Sequence, residues 1–429
     1  MILRAIERFI PKKIYRTLQP AYHFLLALAG AILYRFPSKQ IRIVAITGTK
    51  GKTSIAEMVN AILEEAGHKT ALGGSLRFKI GDESKQNPYG MSMPGRSFLQ
   101  SFLRKAVKQG CDWAILEMTS EGAKQFRHKF IFLDAFIFTN LAPEHIESHG
   151  SFEKYLEHKK RIASLLNNRA KKVRTVIVNA DDSYAEEFIP KGATQVIKVY
   201  LKDGEPWTTN ENGMNFSFDG NIIHSPLKGE FNIMNALESC SFAKSIGIGT
   251  PVLVRAFSKL SSIRGRVEHI TLPQNHPLHL KQNFTAIVDY AHTIESLEAL
   301  YKTFPNQRKI CVLGNTGGGR DIWKRKGMAK IADKYCDEII LTTEDPYNES
   351  PMKIIEDMKV GITKHKPKTI VDRREAIHEA IKIAREGDVV LATGMGSQQY
   401  MCVTRGEKIP WDDANVIREE IERKLAPES

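Results

Sequence analysis

The residues with the most evident chemistry are Thr47, Gly48, Thr49, Lys50, Gly51, Lys52, Thr53 and Ser54, read consecutively. They lie between an apolar run and a helical pattern. Glycines at 48 and 51 let backbone N–H groups curl around phosphate oxygens, and a helix N-terminus adds a favourable field. Lys52 would reach the β- and γ-phosphates, and Thr53 would help to hold Mg²⁺. The spacing departs from G-x-x-x-x-G-K-[ST], because Ile46 stands where the first glycine would be. The alternative, a Gly- and Lys-rich surface turn, is disfavoured by the flanking strand and helix signals. Glu117, at the end of another apolar run, is a hard oxygen donor suited to Mg²⁺, or else one half of a structural ion pair. Lys159, followed by Lys160 and Arg161, lies on a helical face that is either functional or simply solvated.

These groups need a scaffold, and the sequence predicts an α/β one. Residues 41–46 read as a buried strand. Residues 54–66 place Ile55, Met58, Val59, Ile62 and Leu63 at helical spacing and stop at Gly67. Further strands are expected at 113–116, 135–138 and 173–178, and a helix at 232–246 ending at Gly247. A polar, Gly-containing stretch at 261–268 reads as an interdomain joint. A second series of strands follows at 284–288, 309–313, 338–341 and 389–392. Such alternation implies mostly parallel sheets with helices on both faces. Ligands of open α/β sheets sit at the carboxyl ends of strands, where the informative residues of both halves fall. A site shared between two domains is therefore expected.

The 429 residues suffice for two or three domains, and 42% hydrophobic with 26% charged residues is ordinary for a soluble globular enzyme. A net charge of +13 points to acidic partners: nucleotide, phosphorylated substrate, nucleic acid or anionic membrane. No nucleic-acid-binding motif accompanies it, and no nucleic acid is expected as a partner. Cys111, Cys240, Cys311, Cys336 and Cys402 are scattered, without C-x-x-C spacing. That argues against a disulfide framework or thiolate zinc site and fits a reducing cytosol. Residues 1–20 carry Arg4, Arg8, Lys12, Lys13 and Arg16 against Glu7, and an apolar stretch follows at 24–34. That stretch is short for a membrane span. It reads either as a helix packed on the domain or as a basic helix touching a membrane interface.

The phosphate loop resembles that of the Mur ligases, which join amino acids to cell-wall precursors. Segments in matching order include Glu117-Met-Thr-Ser120, Thr139-Asn-Leu-Ala-Pro-Glu-His145, His149-Gly150, Tyr155 with Lys159, and Asn179-Ala-Asp-Asp182. Gly229-Glu-Phe-Asn-Ile-Met-Asn235, Gly265-Arg-Val-Glu268, Asp289-Tyr-Ala-His-Thr293, Gly317-Gly-Gly-Arg-Asp321 and Lys324-Arg325 continue it. The nearest branch is the UDP-N-acetylmuramyl-tripeptide synthetase type. The resemblance implies a P-loop central domain over 41–262 and a smaller Rossmann-like domain over 263–429, after a helical segment at 1–40. It implies an ATP- and Mg²⁺-dependent ligase that forms an amide through an acyl phosphate, in the cytoplasm. His145 would ligate metal with Thr53 and Glu117, and Lys159 would carry a carbamate. Asn235 would contact adenine, with Arg266, Asp289 and His292 also near the nucleotide. Thr119, Ser120 and Arg127 would contact the carboxylated substrate.

The sequence departs from the family pattern in three places. Only 40 residues precede the first strand, too few for the branch's uridine-nucleotide domain, so a non-UDP acceptor is a second expectation. A non-catalytic nucleotide-binding scaffold at a membrane is a third. The specificity segment D-N-P-R reads Glu344-Asp345-Pro346-Tyr347, and a tyrosine cannot fork onto a carboxylate as arginine does. G-K-G-H-E reads Gly394-Met-Gly-Ser-Gln398, so the acid expected to meet a side-chain amine is a neutral amide. Both changes weaken diaminopimelate and lysine as the incoming amine.

Overall fold

The computed structural model describes residues 12–426 except Arg96, His145 and Glu211, with side chains from residue 18 onward. Its largest sheet has eight strands. In spatial order they are Glu83–Gln86, Arg77–Ile80, Thr70–Gly73, Trp113–Glu117, Arg42–Thr47, Ala135–Phe138, Thr175–Asn179 and Gln195–Val199. The six from Thr70–Gly73 to Gln195–Val199 run parallel, and the first two form an antiparallel extension at one edge. Arg42–Thr47, Trp113–Glu117 and Ala135–Phe138 are almost wholly buried, as a strand covered on both faces must be. One face packs on helices Lys52–Glu65 and Glu230–Ser245, the other on Phe98–Lys108 and Phe152–Ala163.

The second sheet has the order Glu268–His269, Thr285–Asp289, Val389–Thr393, Lys309–Leu313, Glu338–Leu341 and Lys368–Thr369. All its pairings are parallel except that of Glu268–His269. The expected strands and the two central helices therefore appear within a residue or two of their predicted bounds. The sequence pattern did not reveal the antiparallel edge hairpin, a three-stranded sheet over Thr208–Ser225, or the hairpin of Tyr400–Cys402 with Lys408–Pro410.

One expectation changes. Cys311 and Cys336 form a disulfide, where their scattered spacing indicated free thiols. Cys311 lies on the strand Lys309–Leu313, and Cys336 closes the helix Lys324–Tyr335 that returns over it, so 25 residues of chain bring the sulfurs together. The apolar stretch near the N-terminus belongs to a longer helix, Lys12–Leu33, with Pro20 inside it. Among the described residues, no helix is long and apolar enough to cross a membrane.

Candidate active site

The phosphate loop joins the strand Arg42–Thr47 to the helix Lys52–Glu65, with Gly51 in the left-handed region as the helix N-cap. Gly48 admits no side chain, since a Cβ there would stand 1.9 Å from Thr139 Oγ1. The loop is pinned from the next strand end. Lys50 N donates to Asn140 Oδ1 at 2.9 Å, Thr49 N to the Asn140 carbonyl at 2.8 Å, and Ala142 N to Thr49 Oγ1 at 2.9 Å.

Three lysines converge on this loop. Lys52 Nζ donates to the Gly48 and Thr49 carbonyls, each at 2.9 Å, and Lys159 Nζ donates to the Gly48 carbonyl from the helix Phe152–Ala163. Lys50 Nζ donates to Glu144 Oε1 at 3.0 Å. Burial pushes the Lys52 ammonium down to about 8 against the opposing pull of Glu144 and Glu117. Burial, reinforced by Lys52, takes Lys159 well below the ordinary lysine range. Burial also lowers Lys50. Desolvated like charges at one loop are stabilised by a polyanion, and the loop carbonyls stand in for its oxygens here.

Beside the lysines lies a set of hard oxygens. Thr53 Oγ1 is 3.2 Å from Glu117 Oε2, and Ser75 contacts both carboxylate oxygens of Glu117, through its N–H at 2.9 Å and its hydroxyl at 2.9 Å. Burial raises the Glu117 carboxyl, and Lys52 opposes this. Among the described residues, no group of three or more His, Cys, Asp or Glu is arranged to hold a metal. One hydroxyl and one carboxylate still match Mg²⁺, which keeps most of its shell as water and phosphate oxygen. Ser75 belongs to no recognised motif. It arrives through the turn before Arg77–Ile80, so only the fold brings it to Glu117. His145, expected as a metal ligand, lies outside the described residues.

The second sheet closes over this loop. Arg266 NH2 donates to Thr53 Oγ1 at 3.3 Å, and its guanidinium stacks on Tyr290 at 4.7 Å. His292 Nε2 lies 2.8 Å from Glu144 Oε1, and Lys50 Nζ lies 3.5 Å from the same nitrogen. The other ring nitrogen, Nδ1, faces the Tyr290 carbonyl at 2.6 Å. Burial, then Lys50, pushes His292 down to about 4. A neutral imidazole donates from one nitrogen only; with Nδ1–H donated to the Tyr290 carbonyl, Nε2 is left to accept from the Lys50 ammonium beside the Glu144 carboxylate. Asp289 is spent on the backbone, accepting from Val267 N and Ala291 N at 2.7 Å each. Asn235 is buried against Gly51 and donates to Asn232 Oδ1 at 3.0 Å, and Ser54 is buried in the first helical turn.

Thr119 caps the short helix Ser120–Lys124 by accepting from Gly122 N at 3.2 Å. Ser120 Oγ lies 3.1 Å from His149 Nε2. Arg127 donates to the Met93 carbonyl and, at 2.7 Å, to Gln125 Oε1. In the second half, Asp345, Tyr347, Gly394 and Gln398 form one corner. Gln398 Nε2 donates to Asp345 Oδ2 at 3.4 Å, and Cys402 N to Asp345 Oδ1 at 2.6 Å. Tyr347 carries the Arg320 guanidinium over its ring at 4.5 Å. Gly394 has φ +96, and a Cβ there would lie 1.9 Å from Glu344 Oε2. Burial raises that glutamate to about 7.

Comparison with known proteins gives concordant results. The sequence pattern of the Mur ligase middle domain matches residues 46–243, and that of the Mur ligase glutamate ligase domain matches 276–396. The UDP-N-acetylmuramoyl-L-alanyl-D-glutamate--2,6-diaminopimelate ligase of Syntrophomonas wolfei subsp. wolfei is 33% identical over 417 residues, covering 93% of this chain and 82% of its own. A solved structure of a ligase of that name superposes with TM-score 0.61 at 28% identity, over 90% of this chain and 79% of the other. The Mycobacterium tuberculosis folylpolyglutamate synthase complexed with ADP and AMPPCP shares the fold, with TM-score 0.68 at 15% identity, over 86% of this chain and 92% of its own.

Proposed function

This chain belongs to the Mur ligase family, and from that premise we propose that it adds an amino acid to a muramyl-peptide precursor in an ATP- and Mg²⁺-dependent reaction, with units at 41–262 and 263–429. The observation that carries this reading is the meeting of Lys50, Lys52 and Lys159 at the phosphate loop, beside the Thr53–Glu117 oxygens and under Arg266. ATP supplies a transferable phosphoryl group and Mg²⁺ screens its charge. Lys52 and Arg266 neutralise the γ-phosphate, while Thr53 and Glu117 orient the cation. Thr119 and Arg127 hold the acceptor carboxylate in line. Its oxygen attacks the γ-phosphorus as the β–γ bridge breaks to leave ADP. The incoming amine then attacks the acyl carbon, loses a proton, and expels phosphate as the amide forms.

Lys159 takes part as a carbamate. Its buried amine is held toward the neutral form, which attacks CO₂ to give N-carboxylate and one proton. The new anion would pair with Lys52, which shares the Gly48 carbonyl with Lys159, and would supply a further oxygen donor for Mg²⁺. The incoming amino acid contacts the Asp345–Tyr347–Gln398 corner, and Arg320, stacked on Tyr347, brings a guanidinium there in place of the expected arginine. The helix Lys12–Leu33 contacts a membrane surface.

The test is phosphate release across a matrix of muramyl-peptide acceptors and amino acids, with mass spectrometry of the product. Release requiring both an acceptor and an amino acid, and lost in Lys52→Ala, supports the ligase. Hydrolysis indifferent to every acceptor would refute it.

A further inference from the structure

The helix Lys12–Leu33 has two unlike faces. Toward the protein it buries His23, Ala27 and Ala31, and Gly30 approaches so closely that a Cβ would lie 3.1 Å from Ser97 Oγ. On the other side, Leu18, Leu25 and Ile32 are 57%, 61% and 58% exposed. Seven residues are nearly two helical turns, so these three lie in one row. Leu33 and part of Phe24 widen the row. Leucine, isoleucine and phenylalanine standing together in water along a helix mark a contact surface.

Charge decides what covers it. No acidic residue occurs between Arg8 and Ala56, whereas Arg8, Lys12, Lys13 and Arg16 precede the row and Arg35 and Lys39 follow it. A second copy of this chain would set those cations against one another. An anionic bilayer offers hydrocarbon for the row and phosphate for its ends. The helix cannot cross that bilayer: it is not apolar enough, and its inner face is committed to the protein.

We propose that this helix lies in the plane of an anionic membrane with the Leu18–Leu25–Ile32 row immersed in the headgroup–acyl boundary. The inference rests on the membrane contact read above and specifies its lipid and its residues. Phe24 meets Phe126 at 6.2 Å and Phe130 at 5.3 Å, on either side of Arg127, so the docked helix brings the acceptor-holding segment beside the bilayer. An acceptor carried on a membrane lipid would be presented there.

The experiment is flotation of the full-length protein with vesicles of phosphatidylcholine alone or with 30% phosphatidylglycerol. The comparison variant is Leu25→Glu/Ile32→Glu, with soluble-acceptor phosphate release as the check that it is folded. Binding to the anionic vesicles, reduced about tenfold or more by the double variant and weakened by salt, supports the proposal. Failure of wild type to float with either vesicle overturns the membrane contact itself. Equal flotation of the variant overturns only the assignment to this row. A dimer by light scattering that dissociates in the variant would assign the row to a second copy and overturn the proposal. None of these results bears on ligase chemistry, which the phosphate-release assay reads separately.

Discussion

Glu238 lies on the helix Glu230–Ser245 with its side chain fully buried and no hydrogen-bond partner for either carboxyl oxygen. Burial, with Asp182 adding to it, raises its pKa well above the ordinary 4.5. The folded protein keeps the proton at pH values where the unfolded chain has released it. The folded state therefore binds more protons, and stability falls as pH rises from 4.5 to the raised folded value. The slope is about 1.4 kcal/mol per pH unit. That loss accumulates for as long as the folded carboxyl keeps its proton, and the unsatisfied neutral carboxyl adds about 1–3 kcal/mol. Glu238→Leu should remove both costs, and Glu238→Gln only the pH-dependent part. Urea unfolding of both variants and wild type at half-unit steps from pH 4.5 to 8 gives the comparison. The expected result is a Leu variant stabilised at every pH, with its advantage widening upward. Wild type and Gln variant following parallel pH profiles would show that the carboxyl finds a partner and that the reasoning is wrong.

Glu117→Gln should raise the Mg²⁺ concentration for half-maximal phosphate release about tenfold or more, since it removes the carboxylate that orients Thr53; an unchanged requirement would place the metal elsewhere. If Lys159 acts as a carbamate, activity should depend on dissolved CO₂. Because the reactive form is the neutral amine, the rate should fall as pH drops through the lowered pKa of Lys159, and bicarbonate should restore part of it. A ¹³C carbamate signal, absent in Lys159→Arg, is the direct check, and CO₂-independent rates would remove the modification. Arg320→Ala should raise KM about tenfold for an amino acid bearing a second carboxylate and leave neutral amino acids unchanged; equal effects on both would show that Arg320 only packs on Tyr347.

The scaffold was legible where burial on both faces leaves an apolar run ending at polar residues, as at 42–47, 113–117 and 389–393. The phosphate loop was legible because its glycines and lysines act through local backbone geometry. Ser75 was not, because a serine in an edge turn has no signature until Glu117 is beside it. The Lys50–Glu144–His292 cluster joins positions 94 and 148 residues apart, a pairing that no local pattern contains. The sheet over Thr208–Ser225 had no apolar run to mark it, because its strands are buried only in part. Cys311 and Cys336 meet only through the return of a helix over its own strand.

That cluster also bears on the order of events in a catalytic cycle. A single carboxylate oxygen on Glu144 receives an ammonium from the nucleotide loop and faces an imidazole from the opposite sheet. A triphosphate that drew Lys50 to itself would take that ammonium off the oxygen that His292 faces. Nucleotide in the loop is therefore expected to be felt at the contact between the two halves, because the loop lysine and the opposite sheet's imidazole meet at one oxygen.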